Sequence, residues 1–227
     1  MKIPDRYQAA WAPGLDTDAD PDDSLERGLD WIEALDVPGE TAVVMNAVSM
    51  STNRALLAWA AQRHPFISPR SRTRLSAPTG HAVLAVWPGG EALELAQRLA
   101  LDGGLCVIGG HLFDVAPWIV RTQATNLAAP HDSNPALPEL DGAVAAALDS
   151  MLFFGGHNNF LGGGEKEDAV RRLRSLVADG HRPSPESIEM YALASGETSH
   201  KGARRLREFY EGVLAGKRYR DYGGRPI

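Results

Sequence analysis

HAVLAVWPGGEALELAQRLALDGGLCVIGGH, residues 81–111, is the stretch on which the fold turns. Val83–Trp87 (VLAVW) is an apolar run stopped by Pro88, and Leu105–Ile108 (LCVI) is another stopped by Gly109 and Gly110. Each is too short for a helix and is punctuated like a strand. Between them Leu93, Ala96, Leu99 and Ala100 recur at three- and four-residue spacing. Glu91, Glu94, Gln97 and Arg98 fall largely on the opposite side, and Asp102-Gly103-Gly104 supplies a stop, so the spacing predicts an amphipathic helix. Two strands apolar on both faces and joined by one helix predict a right-handed crossover in a parallel sheet covered on both sides.

Working outward, Thr41–Val48 (TAVVMNAV) reads as a further strand, and Asn53–Arg63 as a helix with Leu56, Leu57, Trp59 and Ala60 inward. The seventeen residues His64–Gly80 (HPFISPRSRTRLSAPTG) form a long connection with a short strand at Phe66–Ser68. Connections of that length in compact domains tend to be functional or mobile. Asp114–Gln123 carries Val115, Trp118 and Ile119 on one helical face. Upstream, the chain to Pro21 is broken by Pro4, Pro13 and Gly14 and reads as irregular. A helix then runs from Asp22 or Asp23 to Leu35, with Leu25, Leu29 and Ile32 inward. Downstream, Pro130, Pro135 and Pro138 mark 128–139 as a linker. Helical periodicity follows at Leu140–Phe154, Glu165–Asp179, Ser184–Ser195 and Ser199–Ala215, and a basic tail closes the chain. The expected organisation is an acidic segment with one helix (1–40), an α/β domain (41–127), a linker (128–139), a helical domain (140–216) and a tail (217–227). The fold class is α/β: a small parallel sheet of three or four strands with flanking helices, Rossmann-like, followed by an all-helical domain.

Composition agrees with a folded chain: 227 residues, 44% hydrophobic and 23% charged. No segment has the apolar length of a signal peptide core or a membrane span, so the expected location is the cytoplasm with no membrane partner. The single cysteine, Cys106, lies mid-strand and reads as a small core residue. The net charge of −6 conceals segregation. Residues 1–40 hold eleven acids against three bases, whereas 41–90 hold no acid and five arginines, and 200–227 hold eight bases against three acids. Such asymmetry concerns partners, internal or external.

In an open parallel sheet, ligands sit beyond the carboxyl ends of the strands. The loops expected there carry Asn46, Ser51 and Asn53 after one strand, Gly89 and Gly90 after the next, and Gly110 and His111 after the third, the small and polar residues a backbone cradle requires. Glu91 and Glu94 sit in the first turns of the following helix and oppose an anion there. Arg63, Arg70, Arg72 and Arg74 are the polyanion candidates, and the last three share one side if the chain is extended. Their bland reading is a solvated loop, or one neutralised by the acidic N-terminal segment. The turn GGHNNFLGGG, 155–164, offers His157 with Asp149 eight residues earlier, although glycine, asparagine and histidine equally suit a plain helix connection. Asp16, Asp18 and Asp20 resemble a calcium loop, but Pro21 and Arg27 occupy the positions that need glycine and glutamate. No HExxH, CxxC, GxSxG, GxGxxG after a strand or GxxxxGK[ST] occurs, so no motif names a metal, a cofactor or a reaction.

In the C-terminal third, FFGGHNNF (153–160), EDAVRRLRSL (167–176), IEMYALASG (188–196), KGARRLREF (201–209) and GVLAGKRYR (212–220) resemble segments of a family of uncharacterised actinobacterial proteins. The resemblance implies a bacterial origin and assigns no activity and no site residue. Absence of a catalytic constellation favours a non-enzymatic binding or regulatory protein. On that reading the Arg-rich loop and the basic C-terminal helix contact an acidic protein or a nucleic acid, and a homo-oligomer is compatible. The alternative is a small-molecule enzyme or sensor with a nucleotide-like ligand at the strand ends.

Overall fold

The structure, a computed structural model, describes residues 6–14, 20–47, 54–130 and 134–220. The chain divides into two compact units, residues 3–135 and 136–227.

The first unit is α/β. Its strands are β1 (Gln8–Ala12), β2 (Thr41–Val44), β3 (Phe66–Ile67), β4 (Ala82–Val86), β5 (Gly104–Ile108) and β6 (Thr125–Asn126). They form one parallel sheet in the order β3-β2-β4-β5-β1-β6. The helices are α1 (Pro21–Glu33), α2 (Ala55–Ala60), α3 (Gly90–Ala100) and α4 (Leu112–Thr122). The β4-α3-β5 unit matches the reading of 81–111, with β4 and β5 adjacent and paired from Ala82↔Gly104 to Val86↔Ile108.

Two expectations are corrected. The sheet has six strands, not three or four, and does not begin at Thr41: Gln8–Ala12, read as irregular, is an inner strand between β5 and β6. QAAWA lacks the β-branched run that marks a strand, and it is held by pairing to residues about a hundred positions away. The first helix is capped by Asp20, not Asp22 or Asp23. The Asp20 carboxylate accepts from the Asp22 amide (2.9 Å) and Pro21 occupies the first turn, where its missing N–H costs nothing.

Direction of travel along the sheet decides which face each helix covers, because parallel crossovers are right-handed. The chain moves one way from β1 through β2 to β3, and α1 and α2 pack together on one face: Leu25, Leu29, Ile32, Leu57 and Ala60 meet Val43, Leu84, Cys106 and Ile108. It then moves the other way from β4 through β5 to β6, and α3 and α4 cover the opposite face: Leu93, Ala96, Val115 and Ile119 meet Val44, Val83, Ala85 and Val107. Each fully buried leucine or isoleucine contributes about 2 kcal/mol of transfer free energy. The β3–β4 return has no helix among its described residues.

The second unit holds α5 (Gly142–Gly155), a 3₁₀ turn (Gly156–Asn158), α6 (Gly163–Ala178), α7 (Pro185–Ser195) and α8 (His200–Leu214). Val144, Leu148, Val170, Leu173, Ile188, Leu206 and Tyr210 form its core. No described helix of the chain is long and apolar enough to cross a membrane.

Candidate functional site

A parallel sheet whose flanking helices change faces opens a crevice between the strands where the change occurs. In the order β3-β2-β4-β5-β1-β6 this happens twice, between β2 and β4 and between β5 and β1. The second is closed by backbone: the Gly109 amide donates to the Ala12 carbonyl (3.1 Å), and a Cβ on Gly14 would fall 1.3 Å from the Gly109 oxygen. The first is open. A cleft of about 640 Å³ there is lined by Asn46 and Ala47 after β2, Ser68–Ser71 after β3, and Gly89, Gly90 and Glu91 after β4.

Each wall has a local cause. Asn46 ties the two central strands together, donating from Nδ2 to the Trp87 carbonyl (3.0 Å) and accepting at Oδ1 from the Gly89 amide (2.7 Å). A Cβ on Gly89 would stand 3.1 Å from that oxygen, so glycine is what permits the approach. The Ser68 side of the cleft is a tight turn. Its Ser71 amide donates to the Ser68 carbonyl (3.0 Å) while the Ser68 amide donates to Ser71 Oγ (3.2 Å), and Arg70 stands on it. Gly89 begins α3 with no side-chain cap, so the positive end of the helix lies at the cleft, with Glu91 in its first turn.

The structure therefore brings together Asn46, Gly89, Gly90 and Arg70, residues expected in two separate sites. Gly110 and His111 belong elsewhere: Gly110 lies against Trp87, and His111 is the N-cap of α4, its carbonyl accepting from the Asp114 amide (3.1 Å). Neither is part of the lining of this cleft; β5 is followed by the closed β5–β1 junction. Ser51 and Asn53 fall outside the described residues. The sequence reading missed Ala47, Ser68, Pro69 and Ser71; the signal was that Phe66–Ile67, short as it is, continues the parallel sheet and so ends at the same rim.

The charge pattern resolves in part. Asp22 pairs with Arg54 (2.9 Å) and Glu33 contacts the His64 ring (2.9 Å), so α1 engages an arginine and a histidine of the acid-free stretch. Glu40 accepts from the Ser76 amide (2.7 Å); the Ser76 hydrogen bonds hold its carboxyl below the usual carboxylate range. Arg63 stacks on Trp59, its guanidinium carbon 4.0 Å from the ring centroid. Arg70, Arg72 and Arg74 are exposed and form no ion pair among the described residues.

In the second unit one arginine of the basic C-terminal helix is fully engaged by acids of its own unit. Arg207 of α8 contacts Glu186 (2.9 Å), Glu189 (3.1 Å) and Glu211 (2.8 Å), and Arg205 donates to the Asn159 carbonyl. The suggested Asp149–His157 pair does not form: Asp149 accepts from the Tyr191 hydroxyl (2.8 Å), while His157 stands 4.0 Å from Glu165. Asn159, with φ +60°, accepts at Oδ1 from the Ser199 hydroxyl (2.6 Å) and amide (3.2 Å), which makes the 155–164 turn a helix connection. No group of three or more His, Cys, Asp or Glu suited to a metal ion occurs among the described residues. No protein-family model, curated protein or solved structure matches this chain.

Proposed function

We propose that the first unit is a Rossmann-like binding domain that holds a small, phosphate-bearing, nucleotide-like ligand in the cleft between β2 and β4. The observation that carries this reading is the position of the cleft. It lies where the flanking helices part to opposite faces, and it is floored by the Gly89–Gly90 helix start and edged by Arg70, an arginine with no acid paired to it among the described residues. Its volume, about 640 Å³, falls within the range of small-molecule sites. Arg70 supplies a bidentate fork for phosphate oxygens. Glu91, in the first turn of α3, opposes a phosphate seated directly on the helix N-terminus, so the phosphate is placed at Arg70.

The test is a thermal-shift titration of the full chain with adenosine monophosphate, ribose 5-phosphate and inorganic phosphate. A ligand present at about a hundred times its dissociation constant stabilises by about 2.7 kcal/mol. Arg70→Ala, which removes an exposed side chain with no hydrogen bond or ion pair among the described residues, abolishes the shift without changing the ligand-free melting temperature. No shift with any of the three in wild type overturns the reading.

A second reading, contact with a nucleic acid or an acidic protein surface, is favoured by one observation: Arg72 and Arg74, two and four residues after Arg70, are likewise exposed with no ion pair among the described residues. Heparin retention measured against salt tests it, and an Arg72→Ala/Arg74→Ala double variant elutes at lower salt if those charges carry the contact. Arg207 of α8 is engaged by three glutamates, whereas Arg70 at the cleft has no acid paired to it among the described residues, and this supports the cleft reading over the surface one.

A further inference from the structure

Trp87 holds two unfavourable features next to the cleft. Its backbone φ is +45°, a conformation costly for a bulky residue and more so for one preceding a proline. It is held there by its amide donating to the Ile108 carbonyl (2.9 Å) and its carbonyl accepting from Asn46. Its indole N–H is closed to solvent and has no hydrogen-bond partner among the described residues, although such buried donors are nearly always satisfied. Trp87 does not itself line the cleft; its carbonyl is bonded to the cleft residue Asn46, and its Cβ lies 3.4 Å from where a Cβ on Gly110 would stand. Arg54 covers the ring at 5.7 Å and is pinned by Asp22. Backbone strain of this kind clusters at ligand clamps and active sites, and here it meets an orphaned donor on one residue next to a cleft.

We propose that Trp87 is a specificity-determining residue of this site: ligand entry turns the indole so that its N–H donates to an acceptor on the base end of the nucleotide-like ligand. This rests on the functional reading above. Arg70 engages the phosphate, Trp87 reads the base, and Asn46, bonded to the backbone on either side of Pro88, couples the strand end to the cleft. The arrangement selects for a heteroaromatic ring with an acceptor nitrogen or oxygen, and a sugar phosphate lacking the base gains nothing from Trp87.

The experiment compares wild type with Trp87→Phe, which keeps a ring and deletes only the N–H, against adenosine monophosphate and ribose 5-phosphate by calorimetry. The expected result is a loss of about tenfold in affinity for adenosine monophosphate, the worth of one ordinary hydrogen bond, with ribose 5-phosphate unchanged. Equal affinity of both proteins for adenosine monophosphate, or an equal loss for both ligands, overturns the assignment while leaving the cleft reading intact. Binding of neither ligand by wild type overturns the cleft reading itself. A measurement on wild type alone guards against a variant that folds poorly. The Trp87 indole ¹⁵N–¹H resonance shifts with adenosine monophosphate and not with ribose 5-phosphate, and an unmoved resonance at saturation refutes the inference.

Discussion

His81 offers a sharp test of how the loop carrying Arg70 is held. Its side chain is fully buried at the amino end of β4. Nδ1 lies 3.1 Å from the Glu40 amide, which donates to it, and Nε2 lies 2.8 Å from the Ala77 carbonyl, to which it donates. The two bonds clamp the far end of the 64–80 connection to the start of β2, alongside the Gly39 amide donating to the Gly80 carbonyl (2.9 Å). His81→Leu keeps most of the volume and removes both bonds. An unsatisfied donor and an unsatisfied acceptor cost about 1–3 kcal/mol each, and because Glu40 and Ala77 are only half-buried the lower half applies, so the expected loss is about 3 kcal/mol. For a protein of this size that corresponds to roughly 6–12 °C in Tm. All five tryptophans (Trp11, Trp31, Trp59, Trp87, Trp118) lie in the first unit, so urea unfolding followed by tryptophan fluorescence reports that unit alone. A loss below about 1 kcal/mol, at unchanged m-value, would mean that the clamp is replaced by water and that the connection is held by its backbone contacts instead.

Three further outcomes follow from the geometry. Cys106 is fully buried and burial pushes its thiol well above the ordinary value, so an aromatic disulfide reagent at pH 8 releases no chromophore from the native protein and one equivalent after denaturation; rapid native reaction contradicts the placement of β5. Burial, reinforced by its hydrogen bond to Asp149, pushes the Tyr191 phenol up to about 12. The folded value is raised, so the stability it supplies is complete below the ordinary phenol value near 10 and is lost as pH rises through about 12. Ultraviolet titration of wild type minus Tyr191→Phe locates that midpoint, and the variant loses about 0.5–1 kcal/mol at neutral pH. Arg207→Ala, which leaves Glu186, Glu189 and Glu211 facing one another, destabilises the helical unit by about 1–2 kcal/mol, seen by circular dichroism at 222 nm and diminished in high salt.

Local chemistry made much of the first unit legible. VLAVW and LCVI are apolar on every side because both faces of their sheet are covered, and the spacing of Leu93, Ala96 and Ala100 announces the helix between them; these are short-range patterns that survive any arrangement of the rest. The same loops named Asn46, Gly89 and Gly90 as rim residues, since small and polar residues after strands mark that rim wherever it lies. The helical periodicities of α5 to α8 were equally local. Gln8–Ala12 gave no such signal, because alanines become a strand only when neighbouring strands supply the hydrogen bonds.

Strand order was beyond the reach of any local pattern. Whether two loops meet depends on which strands are neighbours, and neighbours are chosen by pairing between residues far apart in the chain. Insertion of β1 beside β5 filled one junction with backbone and left the other open, so the open cleft is lined by Asn46 and Arg70 and not by Gly110 or His111. Local residue patterns were enough to mark the strands and helices wherever both faces are buried, and the residue types that crowd the rim. Only the tertiary structure decided which of them share a cleft, because a parallel sheet joins strands through long crossovers whose order the hydrophobic pattern does not encode.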